Sequence, residues 1–419
     1  MRAEGLKTRR AEAFGRTLLK NCSKILTLLT LPPTFRIIMK INSALSSRFR
    51  SAAAAFFIVA SIQAANAELP PSPLGEAYTI TGSETLHGDW WREYEIRPEG
   101  VLNVLGDGAT FTVMYIHNNY PTLTGGGTIN IGSDTEAGRM VVTSTGSVEP
   151  DGWDSIVKFT GTVNVGAKGD ISISGDFPSG WHGIFLFGTL NVKGTVSVMS
   201  PSSNNSFFCV KNLTLYDGGT FESAICMQTM DGGVYDLRSG GMSTHLLRVD
   251  GGSFTLNLRA ENALDNVHKI SFDTGTGTNF RINAYAENSF EVLEFNADSV
   301  LELSIADGAA LTVGNLTKKN RVSGVAGAEI VFYDYRADAF ILGDSEIWVE
   351  GNRLYIPSVD TYVTLTAYDG EGNLLEGEWL YDWDGEAGRL VLNAVPEPAV
   401  AAAMLGALAL AFALRRKRK

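Results

Sequence analysis

Cysteine is nearly absent from this chain: Cys22, Cys209 and Cys226 are the only three in 419 residues. That excludes a disulfide-stapled scaffold and a cysteine-rich zinc module, both of which need dense, paired cysteines. Cys209 and Cys226 each lie in an apolar run, Phe207-Phe208-Cys209-Val210 and Ala224-Ile225-Cys226-Met227, and the sequence leaves open one bridge or two buried thiols. Histidine is also scarce, with His87, His117, His182, His245 and His268 as the whole set. None is two to five residues from another His or Cys, so the spacing of a zinc site is missing, and neither a metal site nor a cofactor is expected. No glycine-rich stretch leads into Lys-Ser or Lys-Thr at a helix start, which excludes a phosphate cradle. No amphipathic helix of useful length appears before the C-terminal apolar run.

Positive charge is the next shortage. Between Glu68 and Leu414 fall only 18 of the 34 Lys and Arg, against 44 of the 46 Asp and Glu, a formal charge of −26. Nucleic acid and anionic lipid both need cationic surface, so this body is a partner for neither. An acidic, soluble surface is expected, able at most to hold divalent cations weakly.

What is abundant is short strand. From Tyr78 onward Val, Ile, Leu and Phe alternate with Thr, Asn and Ser in runs of four to six, broken by Gly, Asn and Asp, the pattern of half-buried strands between turns. One phrase recurs: Gly127-Thr128-Ile129-Asn130-Ile131, Gly161-Thr162-Val163-Asn164-Val165 and Gly188-Thr189-Leu190-Asn191-Val192, spaced by 34 and 27 residues. A second, Asp107-Gly108-Ala109-Thr110-Phe111-Thr112-Val113, returns as Asp307-Gly308-Ala309-Ala310-Leu311-Thr312-Val313. In each, one side of the strand faces a core and the other water, and the glycines are expected to supply positive-φ corners. Repeats of this length predict an all-β chain whose coils bury apolar edges on one another. The phrases over residues 95–320 resemble the parallel β-helix passengers of autotransporters and pectin-lyase-like proteins. A β-sandwich accommodates the same short strands and is the alternative fold. From 328 to 394 the strands lengthen and gain aromatics, and Glu350-Gly351-Asn352 and Tyr368-Asp369-Gly370-Glu371-Gly372-Asn373 read as hairpin turns. This segment is expected to be an antiparallel cap on a solenoid spanning 78–327, with 68–77 a linker.

Candidate chemistry in the body is thin. Trp181-His182-Gly183 resembles the Gly-His-Gly of polygalacturonases, with Asp151, Asp154, Asp170 and Asp176 nearby, and two carboxylates facing one groove can serve as acid and base. The remaining polygalacturonase motifs are missing, so these read as loop residues and no catalytic residue is assigned. The Asp-Gly pairs lack the tandem nine-residue spacing of calcium loops and read as turns. Trp90, Trp91, Trp153, Trp181, Trp379 and Trp383 are the candidates for rings exposed to a sugar.

The two ends carry the address. Lys40, Arg48 and Arg50, an apolar run over 52–62 and the small-residue site Ala65-Asn66-Ala67 form the three parts of a secretory signal, with cleavage after Ala67 and Met39 as the expected start. At the other end stand Val395-Pro396-Glu397-Pro398, an uncharged run over 399–414, then Arg415-Arg416-Lys417-Arg418-Lys419. Two prolines forbid regular structure there, the run is a short Ala- and Leu-rich membrane helix, and five cations resist translocation. These parts resemble the PEP-CTERM sorting signal of exported bacterial proteins. That resemblance implies handling by an exosortase, transient anchoring in the membrane and delivery to the cell surface; an ordinary single-span anchor is the alternative. The expected function is a non-enzymatic structural or adhesive protein of the envelope or of an extracellular polysaccharide matrix. A carbohydrate-active β-helix lyase or hydrolase is the competing expectation.

Overall fold

A computed structural model describes residues 69–87, 93–115, 122–144, 155–174, 184–199, 207–249, 252–272, 277–318, 327–357 and 360–394. Within them 29 strands, β1 to β29, follow one another in chain order. The first coil is β1 (Ala77–Ile80), β2 (Ser83–His87) and β3 (Tyr94–Ile96), and the second is β4 (Val101–Val104), β5 (Thr110–Tyr115) and β6 (Leu123–Gly125). Each strand lies parallel on its counterpart one coil earlier, so the chain winds a solenoid with three faces. The parallel pairing rules out the antiparallel sandwich.

The same three faces continue through β7 (Thr128–Ile131) and β8 (Gly138–Ser144). From β9 (Ser155–Val165) the third-face strand runs straight into the next first-face strand, as it does in β11 (Ile184–Val192), β13 (Phe207–Leu215) and β15 (Cys226–Leu237). The second face is carried meanwhile by β10 (Gly169–Ser174), β12 (Thr195–Met199) and β14 (Thr220–Ser223). From β16 (Met242–Val249) the fusion moves to the next corner, and β16, β18 (Asn266–Phe272), β20 (Asn288–Phe295) and β22 (Leu311–Lys318) cover the second and third faces. Between them β17 (Ser253–Leu258), β19 (Asn279–Ala284) and β21 (Val300–Ile305) extend the first.

The repeated phrase explains this winding residue by residue. Its apolar positions point inward and stack coil on coil. One first-face column runs Leu102, Ile129, Val163, Leu190, Leu213, Tyr235, Leu256, Ile282, Leu303, Phe332, all buried. Each such side chain contributes roughly 1.5–3 kcal/mol by leaving water. The Asn positions point outward and bond along the axis. Asn130 Nδ2 donates to Asn103 Oδ1 at 2.7 Å, Asn164 to Asn130 at 2.8 Å and Asn191 to Asn164 at 2.9 Å. Each amide thus finds the partner that half-burial demands.

The leading glycine of the phrase has a different role from the one expected. Gly127, Gly161 and Gly188 do not have positive φ; they sit where one coil's backbone touches the next, and a Cβ on Gly188 would lie 1.9 Å from the Thr160 carbonyl oxygen. Positive φ is found instead at other turns, among them the Asp-Gly turns at Gly108 (85°), Gly218 (78°) and Gly308 (75°).

Two sequence expectations need correction, and one question the sequence left open closes. The segment called a linker is part of the fold: Leu74 is buried, its N–H donates to the Glu95 carbonyl at 2.8 Å and its own carbonyl accepts from Arg97 N–H at 2.9 Å. Pro70, Pro71 and Pro73 beside it lack the donors another strand would need, so this edge resists extension. The solenoid also runs past 327. β23 (Glu329–Tyr333) and β24 (Phe340–Leu342) are still parallel to β21 and β22, and Ile330, Phe332, Phe340 and Leu342 continue the buried columns of the coils before them. Finally, no disulfide joins Cys209 and Cys226. Cys209 stands opposite Gln228 and Cys226 opposite Phe207, so the cysteines are two residues out of register. Such diagonal neighbours are about 7–8 Å apart, beyond the usual reach of a disulfide. Cys209 is buried and Cys226 half-buried.

The antiparallel part of the cap comprises β25 (Trp348–Glu350), β26 (Arg353–Ile356), β27 (Thr361–Ala367), β28 (Gly377–Trp383) and β29 (Gly388–Ala394). β27 attaches the first three strands to β23, and β29 attaches the last two to β24. Residues 1–68 and 395–419 lie outside the described residues, and with them the signal-cleavage site at Ala65 and Ala67, the sorting signal and the helix expected over 399–414. Among the described residues no helix is long and apolar enough to cross a membrane.

The first coil holds a buried carboxylate. Glu84 points into the core, 6 % exposed, with Oε1 accepting from Tyr78 OH at 2.9 Å and Oε2 without a partner among the described residues. Burial raises its pKa, and the Tyr78 bond only partly opposes this. The folded state therefore favours the protonated acid, so the penalty is present above the raised pKa and relieved as pH falls through it. Glu84→Gln should melt at a higher temperature than the parent at pH 8, with the gap narrowing on acidification. A gap that widened in acid would reverse the sign of this account.

Candidate aromatic site on the cap

The β25–β26 hairpin turns through Gly351 and Asn352, with positive φ (65°) at Gly351 only, as a type II′ turn requires. This turn fixes the register: Glu350 faces Arg353, Val349 faces Leu354 and Trp348 faces Tyr355. β27 then places Tyr362 opposite Tyr355. Since alternate residues share a face, Leu354, Ile356 and Val363 are buried beneath the sheet while Trp348, Tyr355 and Tyr362 form a row on its outer side. Ring centroids are 4.0 Å apart between Trp348 and Tyr355 and 4.9 Å between Tyr355 and Tyr362. Trp348 is 48 % exposed.

A polar rim surrounds the row. Tyr355 OH donates to Asp360 Oδ1 at 2.7 Å, and the Tyr362 phenol bonds Glu350. These carboxylate bonds raise both phenol pKa values, so both rings stay neutral. The Arg353 guanidinium lies over the Tyr362 ring at 4.6 Å. Flat apolar faces bordered by carboxylates and a guanidinium suit the C–H face and hydroxyl edge of a sugar.

The structure sorts the sequence candidates. Trp379 is buried against Phe332 and Tyr335 and serves the core, and Trp383 is half-buried beside Tyr381. Asp170 is engaged in a 3.0 Å ion pair with Arg139, its register partner on β8. Trp90, Trp91, Trp153, Trp181, His117, His182, Asp151, Asp154 and Asp176 lie outside the described residues. Trp348, Tyr355 and Tyr362 were not singled out from sequence. The signal was there in the Gly351-Asn352 turn, because folding the hairpin about it sets Trp348 against Tyr355. Among the described residues no group of three or more His, Cys, Asp or Glu is arranged to hold a metal ion. No family model matches the chain, and neither a curated protein nor a solved structure is significantly similar to it.

Proposed function

We propose that this chain is an exported, non-enzymatic structural or adhesive protein of a bacterial envelope or extracellular polysaccharide matrix, a β-solenoid rod that holds glycan on its C-terminal cap. The carrying observation is the outward row of exposed Trp348 and half-buried Tyr355 and Tyr362 on a sheet whose other face packs against the core. An apolar platform kept out of the core suits ligand contact. Its carboxylate and guanidinium rim supports hydroxyl recognition, while the acidic body argues for a neutral polymer. Export rests on the signal peptide and the PEP-CTERM-like end; an exosortase, the membrane during sorting and matrix polysaccharide are the partners this reading requires.

Immobilised neutral polysaccharides and a reducing-end assay, run together on the full chain, test it. The expected result is retention without turnover, weakened roughly tenfold, about 1.4 kcal/mol, in Trp348→Ala as the largest and most exposed ring of the row is lost. Growth of reducing ends that disappears in His182→Ala would instead establish the lyase or hydrolase reading.

A further inference from the structure

His245 and His268 are 23 residues apart, too far for any linear metal motif, yet the solenoid closes that gap in one coil. On β16 and β18, Thr244 faces Val267 and Leu246 faces Lys269, so the two histidines are neighbours on adjacent coils. Their rings lie nearly parallel, with centroids 4.9 Å apart and planes 10° from each other. His245 is exposed and His268 half-buried. One coil further on, Lys269 faces Val292, which sets Glu291 beside His268, and the Glu291 carboxylate is bonded to His268 Nδ1. A carboxylate accepts, so Nδ1 carries the proton, which in the neutral imidazole leaves the lone pair on Nε2. Three successive coils thus supply an imidazole, a second imidazole and a carboxylate that fixes the tautomer of the second. That is the arrangement by which outer carboxylates prepare histidine for a metal.

We propose that His245 and His268 bind a divalent transition metal, copper(II) most tightly, with Nε2 of His268 and one nitrogen of His245 as protein ligands and water completing the shell. Metal–nitrogen bonds are about 2.0–2.1 Å, so the two nitrogens must come within about 4 Å of each other. The exposed His245 ring reaches this by rotating about its side-chain bonds while Glu291 holds His268 in place. The surroundings favour a cation: Lys269 is neutralised by Glu294 at 2.8 Å, and Asp265, bonded to Ser289, adds negative charge in the turn just before the His268 strand. Imidazole ligands select copper, nickel and zinc over calcium and magnesium, in the affinity order copper above nickel and zinc.

Isothermal titration of the full chain with copper(II) chloride and with nickel(II) chloride, together with copper EPR, tests the site. The expected outcome is one copper bound with two-nitrogen hyperfine structure and nickel bound more weakly. His245→Ala and His268→Ala should each weaken copper binding at least tenfold, and Glu291→Gln by about 10- to 100-fold, the range seen when an orienting carboxylate is removed. Unchanged copper affinity in both histidine variants, or no copper binding by the parent, overturns the proposal. If His268→Ala fails to fold, His245→Ala at the exposed position still decides it. Glu291→Gln binding as tightly as the parent removes the carboxylate from the site.

Discussion

Replacing Gly161 with alanine should unlock the coils around it while leaving the distant end of the rod intact. A Cβ at this position would lie 2.1 Å from the Gly127 carbonyl oxygen, 2.6 Å from the Gly126 carbonyl carbon and 2.8 Å from the Phe159 ring. Two of those atoms are backbone in a neighbouring rung, so the strain cannot be relieved by a side chain moving aside. Overpacking alone costs about 1–3 kcal/mol, and a clash with fixed backbone belongs at or above the top of that range. Hydrogen exchange should show roughly 100-fold lower protection, equivalent to about 3 kcal/mol, in β7, β9 and β11. β19 and β21 should keep theirs, because each coil contacts only its neighbours. Gly218→Ala is the internal standard. Its new Cβ meets nothing within 4 Å, and only its φ of 78° is unfavourable, a cost of about 1 kcal/mol. If Gly161→Ala proved no worse than Gly218→Ala, the close approach between coils would not exist.

This contrast shows what linear sequence can reveal about a solenoid. Alternation is local, so the buried faces of Ile129-Asn130-Ile131 and Val163-Asn164-Val165 could be read directly. Register between coils is not local: the step from one rung to the next is 24 residues from Thr79 to Asn103, 27 to Asn130, 34 to Asn164 and 27 to Asn191. That uneven step hid the outward amide ladder, the neighbouring His245 and His268 and the two-residue offset of Cys209 and Cys226. It also hid the reason for the glycines, since Gly161 and the positive-φ Gly218 look alike until another coil lies beside them. The cap misled differently. Tryptophan count drew attention to Trp379 and Trp383, whereas exposure is decided by strand parity and by which sheet face lies over the last coil. Trp348 stays outside because Val349 and Leu354 take the inward positions.

Parity makes Trp379 the seal of that last coil, and Trp379→Ala should release the final hairpin. Only two register pairs, Ile341 with Arg389 and Leu342 with Gly388, join β29 to the solenoid edge. Further ties are the Trp379 ring, 5.6 Å from Phe332 and 5.2 Å from Tyr335, the Tyr335 phenol, which donates to the Leu390 carbonyl at 2.7 Å and accepts from Leu392 N–H at 2.9 Å, the Tyr381 phenol donating to the Asp344 carbonyl, and an exposed Arg389–Asp338 ion pair at 3.0 Å. Burial pushes the Tyr335 phenol up to about 12, so that donor persists through the neutral range. Removing a buried tryptophan costs about 3–5 kcal/mol, whereas Tyr335→Phe, losing the hydroxyl but keeping the ring, should cost about 1–2 kcal/mol. Limited proteolysis should therefore cut Trp379→Ala first within 377–394. The bared edge of β24 should then drive concentration-dependent association in sedimentation velocity, since an unprotected strand edge recruits others. Tyr335→Phe should stay monodisperse. Resistance of Trp379→Ala to cleavage across that hairpin would mean that the two backbone pairs and the polar ties hold it without the ring, and the aromatic cluster would lose its role as the closure of the rod.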